Sequence, residues 1–390
     1  MKLISKYLLS LILVASVNVV FAQDFEEYMR QQQEAFEEMQ SEYEAGILAS
    51  IEAWEEYEAR QKAAFEAYKE EMERLWGEFK TRSHKDWVEY REGGRVRSAV
   101  DFEEGKGTVE IIAETPEEVE EAVQNIQREV EITLEDRGSD REYPMEDEET
   151  QPLQEEPVLA GQVKSSSGAT ATAEVAKEIS ETVETREVTG EDGVTRTVVF
   201  VNFSLAPDHL QTRARKVERY VYEYAKEFNL DPALVFAIIH TESYYNPAAR
   251  SWANALGLMQ LVPSTGGRDA YRALYNKDGV PTQDYLFIPQ NNVRMGAVYM
   301  DILFNRYLRG VEDPAVLELL VICAYNTGAG NVARAYTGNT NFRAALPVIN
   351  TKTPEETFHF LVENLPYEET QDYIQKVTER RDMYREWVQE

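Results

Sequence analysis

Residues 231–247 read DPALVFAIIHTESYYNP, and this stretch decides the fold of the second half of the chain. Asp231 is a helix N-cap residue and Pro232 suits the first helical position, so the spacing predicts a helix from Pro232 to Glu242. Its apolar face runs Leu234, Val235, Ile238, Ile239, and the next residue on that face is Glu242. A carboxylate at the end of a buried stripe is costly unless it is protonated or paired. It also falls in the last turn, where the helix dipole disfavours negative charge, so desolvation and dipole both raise its pKa. A general acid working near neutral pH needs that shift. The residues alone allow a second reading, a glutamate turned out to solvent at a frayed helix end.

Outward from Glu242, 26 residues pass before the next acid, Asp269, where the chain's 71 Asp and Glu in 390 residues lead one to expect about five. Leu319 to Pro354 is equally free of acids. These gaps fit buried packing, and they leave Glu242 with no carboxylate neighbour nearby in sequence. Helical patterns recur at His209–Phe228, Gln290–Tyr307, Pro314–Ala324 and Glu369–Glu390, so residues 206–390 read as a mainly helical domain. Gly257 and Gly328-Ala329-Gly330 read as tight turns where backbone passes close.

Upstream, residues 83–205 read as a small α+β domain. Arg95–Phe102 and Thr108–Ala113 flank the turn-forming Glu104-Gly105-Lys106-Gly107 and make a β-hairpin; Pro116–Leu134 is helical; Thr195–Leu205 alternates as a strand of the same sheet. Glu135–Gln154 and Ser165–Ala173 read as loops or linkers. The chemistry of this domain reads as blank, with no metal-ligand spacing, no phosphate loop, and a lone His84 expected at the surface. From Asp24 to Phe79 there is no proline, and Phe36, Met39, Tyr43, Ile47, Ile51, Trp54, Tyr57, Phe65, Tyr68, Met72, Leu75 and Phe79 recur mostly at steps of three and four. Residues 23–82 therefore read as an acidic amphipathic helix or helical pair, on the order of 80 Å long if continuous. The stripe suits a coiled-coil dimer, a helical hairpin or docking on the folded domains, and residues 24–79 offer a surface for self-association or a protein partner.

The first 22 residues carry Lys2 and Lys6, an apolar run from Tyr7 to Val20, and Val20-Phe21-Ala22, the pattern of a signal peptide cleaved after Ala22. The expected location is exported and periplasmic. Cys323 is the sole cysteine, so no disulfide within the chain and no lipid anchor at the cleavage point are expected. A net charge of −31 argues against nucleic acid as a ligand.

Glu242-Ser243, Asn246-Pro247, Ala255-Leu256-Gly257-Leu258-Met259-Gln260 with Pro263-Ser264-Thr265, and Ala324-Tyr325-Asn326-Thr327-Gly328 form an ordered series that resembles the soluble-lytic-transglycosylase family. Arg82-Ser83-His84, the Asp101–Ala113 hairpin, Glu156-Pro157, Gly161-Gln162-Val163, and Pro207 with His209-Leu210 are similar to its membrane-bound lytic murein transglycosylase C branch, so the resemblance covers roughly residues 82–390. It implies a goose-lysozyme-like helical catalytic domain after the small α+β domain, peptidoglycan glycan strands as substrate, and no metal or organic cofactor. By position it implies Glu242 as catalytic acid and base, Ser251 near the substrate acetamido group, Gln260 and Tyr325 in the cleft, and Tyr373 near the glutamate. Ser243, Gly257, Met259 and Asn326 support them, Asn326 by holding its loop. Loops such as Asn339–Asn350 are expected to control closure of the cleft.

A hydrolytic glycosidase ordinarily uses two carboxylates. With Glu242 alone, the resemblance implies a non-hydrolytic lyase that closes a 1,6-anhydro ring on the muramyl sugar. Two other readings stay open: a hydrolytic muramidase with Asp269, Asp278 or Asp284 positioning water, and a non-catalytic wall-binding scaffold that recruits partners through the N-terminal helix.

Overall fold

A computed structural model describes residues 59–60, 62–138, 156–251 and 254–388. The chain divides into two compact units, Met1–Tyr68 and Lys69–Glu390. In the first, the described residues 59–60 and 62–68 are helical. The rest of the expected acidic helix, the signal segment and most of the Glu135–Gln154 linker lie outside the described residues.

The second unit opens with helical residues 69–76 (α1), followed by a five-stranded antiparallel sheet. Its strands are β1 (Asp86–Arg91), β2 (Val96–Asp101), β3 (Lys106–Ala113), β4 (Glu184–Thr189) and β5 (Thr195–Ser204), in the order β1-β2-β3-β5-β4. The predicted hairpin is β2–β3, with Val100 opposite Gly107, and the predicted strand is β5, with Val201 opposite Val109. β1 and β4 are short edge strands that escape the sequence reading; β4, Glu184–Thr189, is exposed at every position but one, while β1 buries Trp87 and Val88 side by side without alternation. Helices α2 (Pro116–Glu135) and α3 (Thr172–Ser180) cover one face through Ile126, Val130, Val175 and Ile179, packed on Trp87, Val100, Val109 and Val201. Thr115 caps α2 through Glu118 N–H, and Pro116 occupies its first turn.

On the opposite face, Arg97 and Glu110 stand directly across the β2–β3 pair, 1% and 2% exposed and bonded at 2.6 Å. Trp76 lies over the Arg97 guanidinium at 4.1 Å, and Met72 and Leu75 bury beside Gly94. The last apolar residues of the expected stripe thus find their partner in this sheet.

The helical part comprises α4 (His209–Glu227), α5 (Pro232–Ser243), α6 (Gly266–Tyr275), α7 (Gln283–Phe287), α8 (Pro289–Ile302, continuing as a π-turn over Leu303–Tyr307), α9 (Pro314–Thr327), α10 (Ala329–Thr337), α11 (Phe342–Ile349), α12 (Pro354–Asn364) and α13 (Glu368–Val388). Ala233 to Ile239 are each 0% exposed, so α5 is enclosed on every side, not along one stripe alone. α13 lies against it through Phe236, whose ring is 5.4 Å from Tyr384 and 5.1 Å from Trp387. The expectation of a loop at Asn339–Asn350 is corrected: Phe342 to Ile349 form α11, with Phe342, Ala345 and Ile349 buried and Pro347 inside the helix. The architecture is mixed, a small antiparallel sheet followed along the chain by a mainly helical part, both within the unit Lys69–Glu390. Among the described residues no single helix is long and apolar enough to cross a membrane.

Replacing Arg97 by Met leaves Glu110 buried with only Lys80 and Arg186 to balance it. The variant is expected to lose about 3 kcal/mol of stability, read as a lower urea midpoint with an unchanged slope.

Candidate active site

α5 ends where the chain must leave the core. Asp231 caps its start by accepting from Ala233 N–H at 2.9 Å, and its last turn delivers Glu242 into a cleft of about 640 Å³. Tyr244 and Tyr245 follow with left-handed φ values of 48° and 59°, turning the chain away at once. Ser243, 0% exposed, donates to Leu258 O at 2.7 Å and ties the end of α5 to the next segment.

That segment, residues 254–261, is a compact loop built on Asn292 of α8. Asn292 accepts from Met259 N–H at 2.7 Å and donates to Leu256 O and Leu286 O at 2.9 and 2.8 Å. Gly257 (φ +74°) is required there, because a methyl group on it would stand 2.3 Å from Asn292 Nδ2 and 2.5 Å from Leu286 O. Gln260, also left-handed at φ +43°, donates to Ala249 O and Gly257 O. Ser251 accepts from Ala255 N–H at 3.1 Å. α9 and α13 supply the far walls. Tyr325 donates to Met259 O at 2.8 Å, and Thr370 donates to Asn326 Oδ1 at 2.7 Å, holding the α9 end to α13.

The five residues singled out for catalysis and binding, Glu242, Ser251, Gln260, Tyr325 and Tyr373, all line this one cleft, as does Asn326. Ser243, Gly257 and Met259 lie behind it as framework. Glu242 is half-buried, and the Tyr373 hydroxyl donates to Oε1 at 2.6 Å. Burial pushes its carboxyl group up to about 8, the Tyr373 hydrogen bond acts downward, and the nearby Glu369 charge adds to the rise. The frayed, solvent-facing alternative is therefore not the arrangement found. Asn326 also donates to Glu369 Oε1 at 3.4 Å.

Two expectations need correction. The acid-poor sequence around Glu242 does not keep acids out of the cleft, because Glu369 and Asp372 enter it from the first turns of α13. Nor is the sheet domain chemically blank: His84 is exposed as expected, but it lines the cleft, together with Tyr244, Lys376 and Arg380, which the sequence reading missed. Tyr373, Lys376 and Arg380 sit at steps of three and four on α13, a helical face that the position of Tyr373 makes readable in hindsight. The acids considered for positioning water lie elsewhere: Asp269 accepts from Tyr307, Asp278 pairs with Arg268 and Arg272, and neither they nor Asp284 line the cleft. Among the described residues no group of three His, Cys, Asp or Glu side chains is placed to hold a metal ion.

A transglycosylase SLT domain family matches residues 219–346, which carry Glu242, Ser251, Gln260 and Tyr325 of the cleft. The N-terminal domain family of membrane-bound lytic murein transglycosylase C matches residues 54–216. The chain is 32% identical over 323 residues to the membrane-bound lytic murein transglycosylase C of Mannheimia succiniciproducens, covering 80% of this chain and 86% of that one. It is 35% identical over 321 residues to that of Cronobacter sakazakii, with the same coverage. The solved 70 kDa soluble lytic transglycosylase of Escherichia coli overlaps 44% of this chain and 24% of its own, at 22% identity and a TM-score of 0.34. The chain belongs to the membrane-bound lytic murein transglycosylase C family.

Between about pH 4.5 and about 8 native Glu242 holds a proton that the unfolded chain releases, so its burial costs more stability as pH rises through that window. The Glu242→Gln variant is expected to gain stability relative to the wild type between pH 5 and pH 8, measured by urea unfolding at both. Gly257→Ala is expected to lose more than about 1 kcal/mol, with a matching fall in melting temperature and in activity as the Asn292 loop shifts.

Proposed function

We propose that the chain is a peptidoglycan lytic transglycosylase, a lyase that cuts the MurNAc–GlcNAc β-1,4 bond without water and leaves 1,6-anhydromuramoyl ends. The observation that carries the reading is the protonatable Glu242 carboxyl group, enclosed at the head of the cleft and held by Tyr373. With the group pushed up to about 8, the acid form predominates at neutral pH and its conjugate base is still accessible, which suits one residue that gives a proton and then takes one.

In this mechanism Glu242 donates its proton to the glycosidic oxygen, the C1–O bond breaks, and the GlcNAc hydroxyl leaves. The muramyl acetamido oxygen bonds to C1 and spreads the developing positive charge. Glu242, now a carboxylate, takes the proton of the muramyl C6 hydroxyl as that oxygen attacks C1 and displaces the acetamido oxygen. The carboxyl group is regenerated and no water is consumed. Ser251 is assigned to the acetamido group, Gln260 and Tyr325 to the sugar in the cleft, and Tyr373 to holding the Glu242 carboxyl in line. The helical domain is read as goose-lysozyme-like, the chain as exported to the periplasm, and the part of the aromatic stripe that precedes the buried Met72 as a surface for self-association or a protein partner.

Hydrolysis is the second reading, and the observation that favours it is the presence of Glu369 and Asp372 in the cleft. Mass spectrometry of products from isolated peptidoglycan sacculi separates the two. Anhydromuropeptides are expected from the wild type, with release slowed about 10²–10⁴-fold in Glu242→Gln; reducing ends in their place would assign a hydrolase. Deleting residues 24–68, which spares the buried Met72, Leu75 and Trp76, is expected to leave lysis intact while removing association.

A further inference from the structure

Tyr244 is the first residue past α5, two positions from Glu242, yet it belongs to the buried cluster of the sheet, which also holds Trp87, Phe102 and Phe203. It is 5% exposed and holds a left-handed φ of 48°, a conformation that a non-glycine residue keeps only when its surroundings impose it. Its hydroxyl is gripped from two sides. It donates to Glu103 Oε1 at 2.7 Å, in the β2–β3 turn, and accepts from Arg380 Nη2 at 2.8 Å, on α13. Glu103 is itself fixed: Lys85 donates to its other oxygen at 2.7 Å, and the Glu103 and Glu104 N–H groups donate to Asp101 Oδ1 at 2.8 and 2.9 Å. The Arg380 guanidinium lies 5.0 Å from the centre of the Tyr244 ring, and His240 and His84 pack their rings at 5.1 and 6.3 Å. Arg380 stands on the same helix as Tyr373, the residue bonded to Glu242.

We infer that Glu103 is a positioning residue for the lyase reaction, acting through the Tyr244 hydroxyl to fix the last turn of α5 and hence the Glu242 carboxyl group. The inference rests on the reading of Glu242 as acid and base given above. A helix end frays unless something outside the helix holds it. Here the outside anchor comes from a different domain, so the sheet domain contributes to the chemical step as well as to the cleft wall. The groups facing Glu242 are Tyr373, Tyr325 and Glu369; those facing Tyr244 are Glu103, Arg380, His84 and His240. Glu103 meets Glu242 only through Tyr244, so its removal changes position and hydration of the catalytic carboxyl group, not its hydrogen bonding.

The test uses the full chain and soluble uncrosslinked glycan strands, with kcat and KM followed from pH 5 to pH 9 for the wild type, Glu103→Ala, Glu103→Gln and Tyr244→Phe. Glu103→Ala is expected to lower kcat about tenfold with KM within about twofold. Its high-pH limb, which reports loss of the Glu242 proton, moves to lower pH because a loosened helix end admits water. Glu103→Gln keeps most of the activity, since its amide oxygen still accepts from Tyr244. Tyr244→Phe repeats the alanine result, and the double variant is no worse than either single one. Wild-type kcat and limb in folded Glu103→Ala and Tyr244→Phe, or a change confined to KM, would overturn the inference while the lyase reading stands. If Glu103→Ala fails to fold, Tyr244→Phe decides, because it removes one hydroxyl and keeps the ring. A wild type that yields no anhydro ends overturns the lyase reading itself, and the inference with it.

Discussion

A carboxyl group set at the end of a helix that water does not reach is the constraint around which the rest of this molecule is arranged. From Ala233 to Ile239, α5 has no exposed residue, so the elements packed around it determine both where Glu242 sits and how it is solvated. Desolvation favours the protonated form, and the Tyr373 hydrogen bond favours the charged one. The balance leaves a group that changes charge near neutral pH without leaving its place. An exposed glutamate would be an ordinary carboxylate and a poor acid, while one buried with no donor would be a poor base.

Three walls of the cleft are tied to α5 by a hydrogen bond to its last turn or to the residue just beyond it. Ser243 joins it to the Asn292 loop, Tyr373 joins Glu242 to α13, and Tyr244 joins it to the β2–β3 turn. The loop in turn receives Tyr325 from α9 at Met259 O. Segments far apart in sequence thus meet at a single helix end, through the bonds of Ser243, Tyr373 and Tyr244.

What could be read from the sequence follows from the same arrangement. Asp231-Pro232 and the apolar run marked α5, and Glu242 on its face was recognisable as a carboxyl group out of its usual setting. The β2–β3 hairpin was legible from the turn-forming Glu104-Gly105-Lys106-Gly107 between two apolar runs, and β5 from its alternating sequence. The edge strands β1 and β4 carry no such alternation, and the short helices α6, α7, α10, α11 and α12 have too few residues to establish a period. For the site, motif residues near Glu242 in sequence were accessible, and Tyr373 was reached by the family resemblance. His84, Glu369, Lys376 and Arg380 were not singled out, since their placement depends on how two domains and the last helix pack, a property of tertiary structure that local pattern does not encode.

The join between the two domains shows why that packing holds. Arg213 of α4 is 3% exposed with its guanidinium 3.3 Å from the centre of the Phe102 ring, and burial pushes it down to about 9. A buried cation lying on an aromatic face, with no carboxylate against it, is tolerable only if the ring stays in contact. Phe102 precedes Glu103 in the β2–β3 turn. The same turn thus receives Arg213 of α4 at Phe102 and Tyr244, just past α5, at Glu103, so neither contact can be lost without disturbing its neighbour. A sheet domain attached only to bind more glycan could be held by any complementary surface. One that meets the helical domain at consecutive residues, beside the end of α5, is placed to govern the geometry of that end.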